Sequence, residues 1–165
     1  MPDHTVTVDR SGDVSSLSFS TTFNVAVPFI DRHLDEGRAG KVVIRTTGGD
    51  SVTYGTLAEN VNRCGNALTG LNVLPAKRVL MIVKDYPAFF YTFWGAIKAG
   101  IVPVPLNTLL RAKDYQYMIE DSAAATVVYS PEFAAEVEPA LSAASHKPAR
   151  IIATEGKGGG GGGVA

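Results

Sequence analysis

From Arg78 onward the sequence repeats one alternation, a short run of β-branched and aliphatic residues followed by a helical pattern and then another such run. Arg78 to Val83 reads as a buried strand, a helix follows through Phe89, Phe90, Phe93, Trp94 and Ile97, and Ile101 to Leu106 reads as the next strand. A helix bearing Tyr115, Met118 and Ile119 leads to the apolar strand Thr126 to Tyr129. Pro131 opens a helix containing Phe133, Val137 and Leu141, and Arg150 to Ala153 supplies a last short strand. Strands apolar on both faces must be covered on both, and crossovers of this length join strands that run the same way. The pattern predicts an α/β fold: an open, mainly parallel sheet with helices on both faces and right-handed connections.

The residues ahead of this alternation read as a smaller attachment. Asn24 is placed as the N-cap of a helix carrying Val27, Ile30 and Leu34, with Gly37 free to end it in a left-handed turn. Lys41 to Thr46, the turn Gly48-Gly49-Asp50 and Ser51-Val52-Thr53 predict a small hairpin. Leu57, Val61, Cys64 and Leu68 then recur at four, three and four residues, which puts them on one helical face, and Gly70 sits at a C-cap position. Residues 1–22 mix acidic and small polar residues without the basic end and apolar stretch of a secretory signal, and are expected to be a flexible leader.

Composition removes several partners. The 15 basic and 16 acidic residues give a net charge of -1 and are spread along the chain, which leaves no electrostatic footprint for nucleic acid or an anionic membrane. The stretch from Tyr86 to Leu110 carries one charge, Lys98, but Pro103, Pro105, Gly95, Gly100 and Asn107 fit a helix and a buried strand better than a membrane span. A single cysteine, Cys64, cannot form an internal disulfide and points to a reduced, cytoplasmic setting. Seven of the 17 glycines fall between Gly156 and Gly163, so residues 154–165 are expected to form a disordered, glycine-rich tail.

Ligands of an open parallel sheet bind at the carboxyl ends of its strands, and here those ends are nearly empty of reactive groups. Lys84-Asp85 could touch a phosphate or a metal, but Asp85 is better read as favouring the start of the next helix, with Lys84 in solvent. Asn107-Thr108 and Ser130-Pro131 are as suited to turns and helix starts as to ligands. No dinucleotide-type glycine fingerprint follows any strand, Val83 being followed by Lys-Asp-Tyr-Pro, and the tail segment Gly156-Lys157-Gly158 lacks the following Ser or Thr of a phosphate loop. His4, His33 and His146 share no metal-ligand spacing with one another or with Cys64. Asp31, Asp35 and Glu36 alternate with Arg32 and Arg38 as a solvated face does. The aromatic run Phe89, Phe90, Tyr91, Phe93 and Trp94 has helical spacing, and core packing is expected for it rather than stacking on a ring ligand. A phosphoacceptor domain of similar topology would need clustered acids at the strand ends, where Asp85 stands alone.

Two stretches carry a family resemblance. Val52-Thr53-Tyr54-Gly55-Thr56-Leu57, continuing to Asn62-Arg63 and Asn66-Ala67-Leu68, resembles the first core motif of the adenylate-forming superfamily. The run from Gly95 to Asn107, Gly-Ala-Ile-Lys-Ala-Gly-Ile-Val-Pro-Val-Pro-Leu-Asn, resembles its second. Val102 to Leu110, Asp114 to Ser122, Phe23-Asn24-Val25-Ala26 and Asp31-Arg32-His33-Leu34 are similar to benzoate-CoA ligases and their 4-hydroxybenzoate relatives. The resemblance covers residues 23–153, which it marks as the N-terminal part of an AMP-binding domain. One departure is visible: where the superfamily often has Leu-Gly-Val-x-x-Gly-Asp-Arg-Val, this chain has Leu71-Asn72-Val73-Leu74-Pro75-Ala76-Lys77-Arg78-Val79. The loss of two glycines is expected to change a turn and no chemistry.

The resemblance implies a ligase that uses ATP and magnesium to turn an aromatic carboxylate such as benzoate into an acyl-adenylate, then transfers the acyl group to coenzyme A. The family's phosphate loop, its magnesium-binding glutamate, its ribose-binding aspartate and its mobile C-terminal lysine match no position here. No catalytic, cofactor-binding or metal residue is therefore assigned, no cofactor is expected on this chain alone, and the matched motifs are expected to be structural. Thr53 is expected to cap the second helix, Leu57 to pack it, and Gly100, Pro103 and Pro105 to shape a turn and strand. Adenylation by this chain alone is not expected, and self-association through exposed apolar surface is. The alternative is a non-catalytic binding or interaction module that keeps the fold.

Overall fold

The computed structural model describes residues 4–153, so the expected glycine-rich tail, 154–165, lies outside the described residues. Four strands form a parallel sheet: β5 (Arg78–Ile82), β6 (Val102–Pro105), β7 (Thr126–Tyr129) and β8 (Ala149–Ile152), in the spatial order β6-β5-β7-β8. Before them come two antiparallel hairpins, β1 (Val6–Asp9) with β2 (Ser16–Phe19) and β3 (Val42–Arg45) with β4 (Ser51–Thr53). The helices are α1 (Arg32–Asp35), α2 (Tyr54–Gly70), α3 (Pro87–Lys98), α4 (Ala112–Ser122) and α5 (Ala134–Ala143). The α/β fold with a parallel sheet and small hairpins is the one expected from sequence.

Side chains alternate across each strand, and that alternation builds two cores. Leu80, Ile82, Val127 and Tyr129 face α4 and α5, meeting Tyr115, Ile119, Val137 and Leu141. Val79, Met81, Val83, Val128 and Ile151 face the other way, onto Ala96 of α3 and Leu68 of α2. β7 is buried at all four positions, which is why its sequence, Thr-Val-Val-Tyr, shows no polar alternation. A third cluster includes residues of α2 and α3 themselves, where Leu57, Val61, Cys64 and Tyr91 meet Ile30 and Val52 and join the β3-β4 hairpin to the helices.

Thr53 caps α2 as expected, its hydroxyl accepting from the Thr56 amide at 3.3 Å. Leu57, Val61, Cys64 and Leu68 are all buried on the face that their spacing defines. α2 and α3 cross closely because two glycines face each other. A Cβ on Gly95 would stand 2.8 Å from the Cys64 Cβ, and one on Gly65 would stand 2.9 Å from the Gly95 carbonyl.

Several local expectations are corrected. Residues 6–19 of the expected leader form the β1-β2 hairpin, in which Val6, Val8, Leu17 and Phe19, alternating with polar residues, share one face that stays exposed. The first helix begins as a π-helical turn, Val27–Asp31, with Pro28 unable to donate a backbone hydrogen bond. Gly70 is the last helical residue of α2, and the left-handed position after it falls on Asn72, at φ 60°. Ala76 is left-handed too, at φ 63°. Asn72 and Ala76, which stand where the superfamily pattern has glycine, both hold left-handed backbone without being glycine.

Candidate functional site

The chain leaves β5 through α3 to reach β6 on one side, and β7 lies on the other side with α5 leaving by the opposite face. The carboxyl ends of β5 and β7 therefore flank a topological switch point, the usual ligand crevice of an open α/β sheet. The protein's own bonds occupy it. The buried Ser130 hydroxyl accepts from the Lys84 amide at 3.0 Å, and the Lys84 ammonium pairs with Glu132 at 3.3 Å. That ammonium also lies 4.6 Å from the Tyr86 ring centroid, and these contacts with Tyr86 and Glu132 hold its pKa above the ordinary lysine value. Lys84 is thus engaged rather than simply solvated. Asp85 does not cap α3: the N-cap is Tyr86, with no side-chain cap bond, and Pro87 begins the helix.

The other sequence candidates are scattered. The Asn107 side chain accepts from the Leu109 amide at 2.9 Å and its carbonyl from the Tyr115 hydroxyl at 3.0 Å, so it builds the turn after β6. His4 Nδ1 accepts from the Asn24 amide at 3.0 Å. His33 stacks on Tyr54 at 3.9 Å and accepts from Arg38 Nε at 2.9 Å, and desolvation, then the nearby Arg38 charge, lowers its pKa. His146 Nε2 contacts the Ala124 carbonyl. Asp31 pairs with Lys98 at 2.6 Å, and Glu36 pairs with Arg32 and Arg38, in keeping with a mixed charged face. Among the described residues no group of three or more His, Cys, Asp or Glu could hold a metal ion. No helix among them is long and apolar enough to cross a membrane.

A concave site does exist, away from the sheet ends. Phe29, Ile30, Val43, Ile44, Arg45, Tyr54, Leu57, Phe90 and Trp94 line an open cleft of about 400 Å³ between the β3-β4 hairpin, the π-helical turn and α3. Phe29 lies against Trp94 with ring planes 20° apart and centroids at 5.5 Å, and Phe93 meets the same Trp94 edge-on. The aromatic run is therefore divided. Tyr91 is buried as a core residue, while Phe90 keeps 38% of its surface and Phe29 58%. Helical spacing alone assigns the whole run to the core, because the residues completing the cleft lie 33 to 65 positions upstream of Phe90 and Trp94, a separation no local period reveals.

The described residues do not fit ATP with magnesium. The switch point is filled, the turns after β5, β6 and β7 carry no glycine cradle, and the cleft is lined mainly by apolar and aromatic residues. What the cleft offers chemically is an apolar, largely aromatic wall.

Comparison with known proteins gives the chain its place. A model of the AMP-binding enzyme family matches residues 31–158. Over 134 residues the chain is 45% identical to benzoate-CoA ligase of Thauera aromatica, covering 81% of this chain and 25% of that protein. It is 43% identical over 124 residues to 4-hydroxybenzoate-CoA/benzoate-CoA ligase of Rhodopseudomonas palustris, covering 75% of this chain and 23% of that one. The crystal structure of a benzoate CoA ligase from Burkholderia xenovorans LB400 superposes with a TM-score of 0.73 at 39% identity, over 80% of this chain and 26% of that one. The chain thus spans about a quarter of the length of the relatives it matches. With the parallel sheet, both motifs and the matched span in agreement, the chain belongs to the AMP-binding enzyme family.

Proposed function

We propose that this chain forms the opening α/β portion of an ATP-dependent aromatic acid-CoA ligase that works in the cytoplasm on benzoate or a hydroxybenzoate. The observation that carries the reading is the 45% identity to a benzoate-CoA ligase across 81% of the chain. In such a ligase ATP with magnesium converts the carboxylate, a poor electrophile because it is already anionic, into a mixed anhydride that the thiol of coenzyme A can attack.

The residues described here serve that reaction as scaffold. Gly65 and Gly95 set the close crossing of α2 and α3, and Thr53 fixes where α2 begins. Ser130 and Lys84 lock the ends of β5 and β7 together. Because the groups that stabilise developing charge match no residue of this chain, the chain alone does not adenylate benzoate. Its exposed apolar residues, among them Phe29, Leu71, Leu74 and Leu109, favour self-association when it stands by itself.

The test is ATP-pyrophosphate exchange with benzoate and magnesium, using the purified chain beside an intact benzoate-CoA ligase. Exchange by the intact ligase and none by the chain is expected. Benzoate-dependent exchange by the chain, free of contaminating ligase, would refute the scaffold assignment.

A further inference from the structure

We propose that the outer edge of β8 pairs with the same edge of a second copy of this chain, the two strands meeting antiparallel across a two-fold axis. The inference goes beyond the ligase reading and would stand if that reading fell. β8 ends the sheet, and its bonds to β7 fix which of its backbone groups face outward. The amides of Ala149 and Ala153 donate to the carbonyls of Ala125 and Tyr129 at 3.0 and 2.9 Å. Backbone groups alternate in direction along a strand, so those of Arg150 and Ile152 point away from β7. Both residues are exposed, and among the described residues no strand pairs with that edge. An open row of donors and acceptors is a template for another strand.

The opposite edge of the sheet is closed to the same use. In β6 the Val102 amide donates to the Lys77 carbonyl and the Leu106 amide to the Met81 carbonyl, so the nitrogens of Pro103 and Pro105 lie on the outer side. Proline has no N–H, and a strand laid there would meet no donor at either position. Pairing of β8 with β6 of another copy, which would run on as a fibre, is therefore disfavoured, and β8 against β8 closes on itself. The register follows from the same alternation. With the axis at Ile151, Arg150 of each copy stands opposite Ile152 of the other, and the two exchange both backbone bonds. The charges permit this approach: Arg150 is paired with Glu138 at 2.8 Å, and a net charge of only -1 gives the copies little mutual repulsion. Residues 154–165, glycine at seven positions, are by composition a poor strand and a weak competitor for the edge.

A strand pair this short buries little surface, so a reversible dimer with a Kd on the order of 0.1 mM is expected. The purified chain is followed by sedimentation equilibrium, and its amide hydrogen exchange by NMR at about 20 μM and about 1 mM. The amides of Arg150 and Ile152 should exchange about threefold more slowly at the higher concentration, with other exposed amides unchanged. Ile152→Lys sets a like charge opposite Arg150 of the second copy and should weaken the dimer about fivefold or more, whereas Ile152→Glu sets an opposite charge there and should not. Both variants lose the same apolar side chain, so association through apolar surface would weaken equally in both. Ile152→Pro, with its fold checked by circular dichroism, removes an outward donor as the prolines of β6 do and should abolish the dimer. A chain that stays monomeric at about 1 mM, exchange at residues 150 and 152 that ignores concentration, equal dimerisation of folded Ile152→Lys and Ile152→Glu, or a dimer kept by folded Ile152→Pro would overturn the proposal.

Discussion

The carbonyl of Gly100 accepts a hydrogen bond from the amide of Ala76 at 2.8 Å, and both residues hold left-handed backbone, at φ 74° and 63°. This bond joins the turn entering β5 to the turn entering β6. Glycine takes such a φ freely, whereas alanine does so at a cost of about 1–2 kcal/mol, partly offset by its smaller entropy loss on folding. Ala76→Gly should therefore stabilise the chain by about 1 kcal/mol, read as a higher urea midpoint at unchanged slope. Gly100→Ala should move the midpoint the opposite way, since its Cβ would have room but the wrong φ.

The crossing of α2 and α3 makes a sharper demand. A methyl at residue 95 would sit 2.8 Å from both the Cys64 Cβ and the Val61 carbonyl, and neither can swing aside. Gly95→Ala is expected to cost about 2–3 kcal/mol as the helices are forced apart. Gly70→Ala, with open space around its Cβ, should be neutral or slightly stabilising by the same denaturation measurement.

These two cases mark what could be read from the sequence and what could not. β5 to β8 were legible because each run is mostly β-branched or aliphatic and bounded by helical patterns, and α2 because Leu57, Val61, Cys64 and Leu68 keep one period to the end. The β1-β2 hairpin was not, although Val6 and Val8, and Leu17 and Phe19, alternate with polar residues, because each run is only four residues long and lies among acidic and small polar neighbours. Ala76 as a residue type carries no hint of its φ; only the glycine that the superfamily pattern has at this position points to it, and the bond to Gly100 accompanies it. The cleft was illegible for another reason. Its walls come from four separate segments around Phe29, Ile44, Tyr54 and Phe90, which only the packing of the outer layer brings together.

Burial pushes the Cys64 thiol up from 9.0 to about 11, with a hydrogen bond to Thr92 opposing the shift only in part. At about pH 8 roughly one thiol in a thousand is then ionised in the folded chain. Reaction with a disulfide reagent should be slow in buffer and fast in denaturant, measured by thiol release. The linkage has a definite sign. Between 9.0 and about 11 the unfolded thiol has lost its proton and the folded one has not, so this group's contribution to stability falls as pH rises through that window. Cys64→Ala should flatten the alkaline decline by that share.

One side chain ties the N-terminal segment to α3. Asn24 Nδ2 donates to the carbonyls of Ile97 and Lys98 at 3.0 and 3.3 Å, which satisfies the last residues of α3, while Oδ1 accepts from the Ala26 amide at 3.0 Å. Asn24→Ala leaves all three groups without that partner and should destabilise the chain by about 1–2 kcal/mol in thermal or chemical unfolding. Asn24→Asp keeps the bond to Ala26 but places a charge against two carbonyl oxygens, and should not rescue the loss.

The central claim is that this chain can serve as the opening portion of an aromatic acid-CoA ligase. The most direct test replaces the matching segment of the Thauera aromatica benzoate-CoA ligase, a quarter of that protein, with the aligned residues of this chain. Formation of benzoyl-CoA from benzoate, ATP and coenzyme A is then measured for the chimera. The account predicts a soluble chimera that forms benzoyl-CoA. A chimera that is soluble and folded by circular dichroism yet forms none would contradict it.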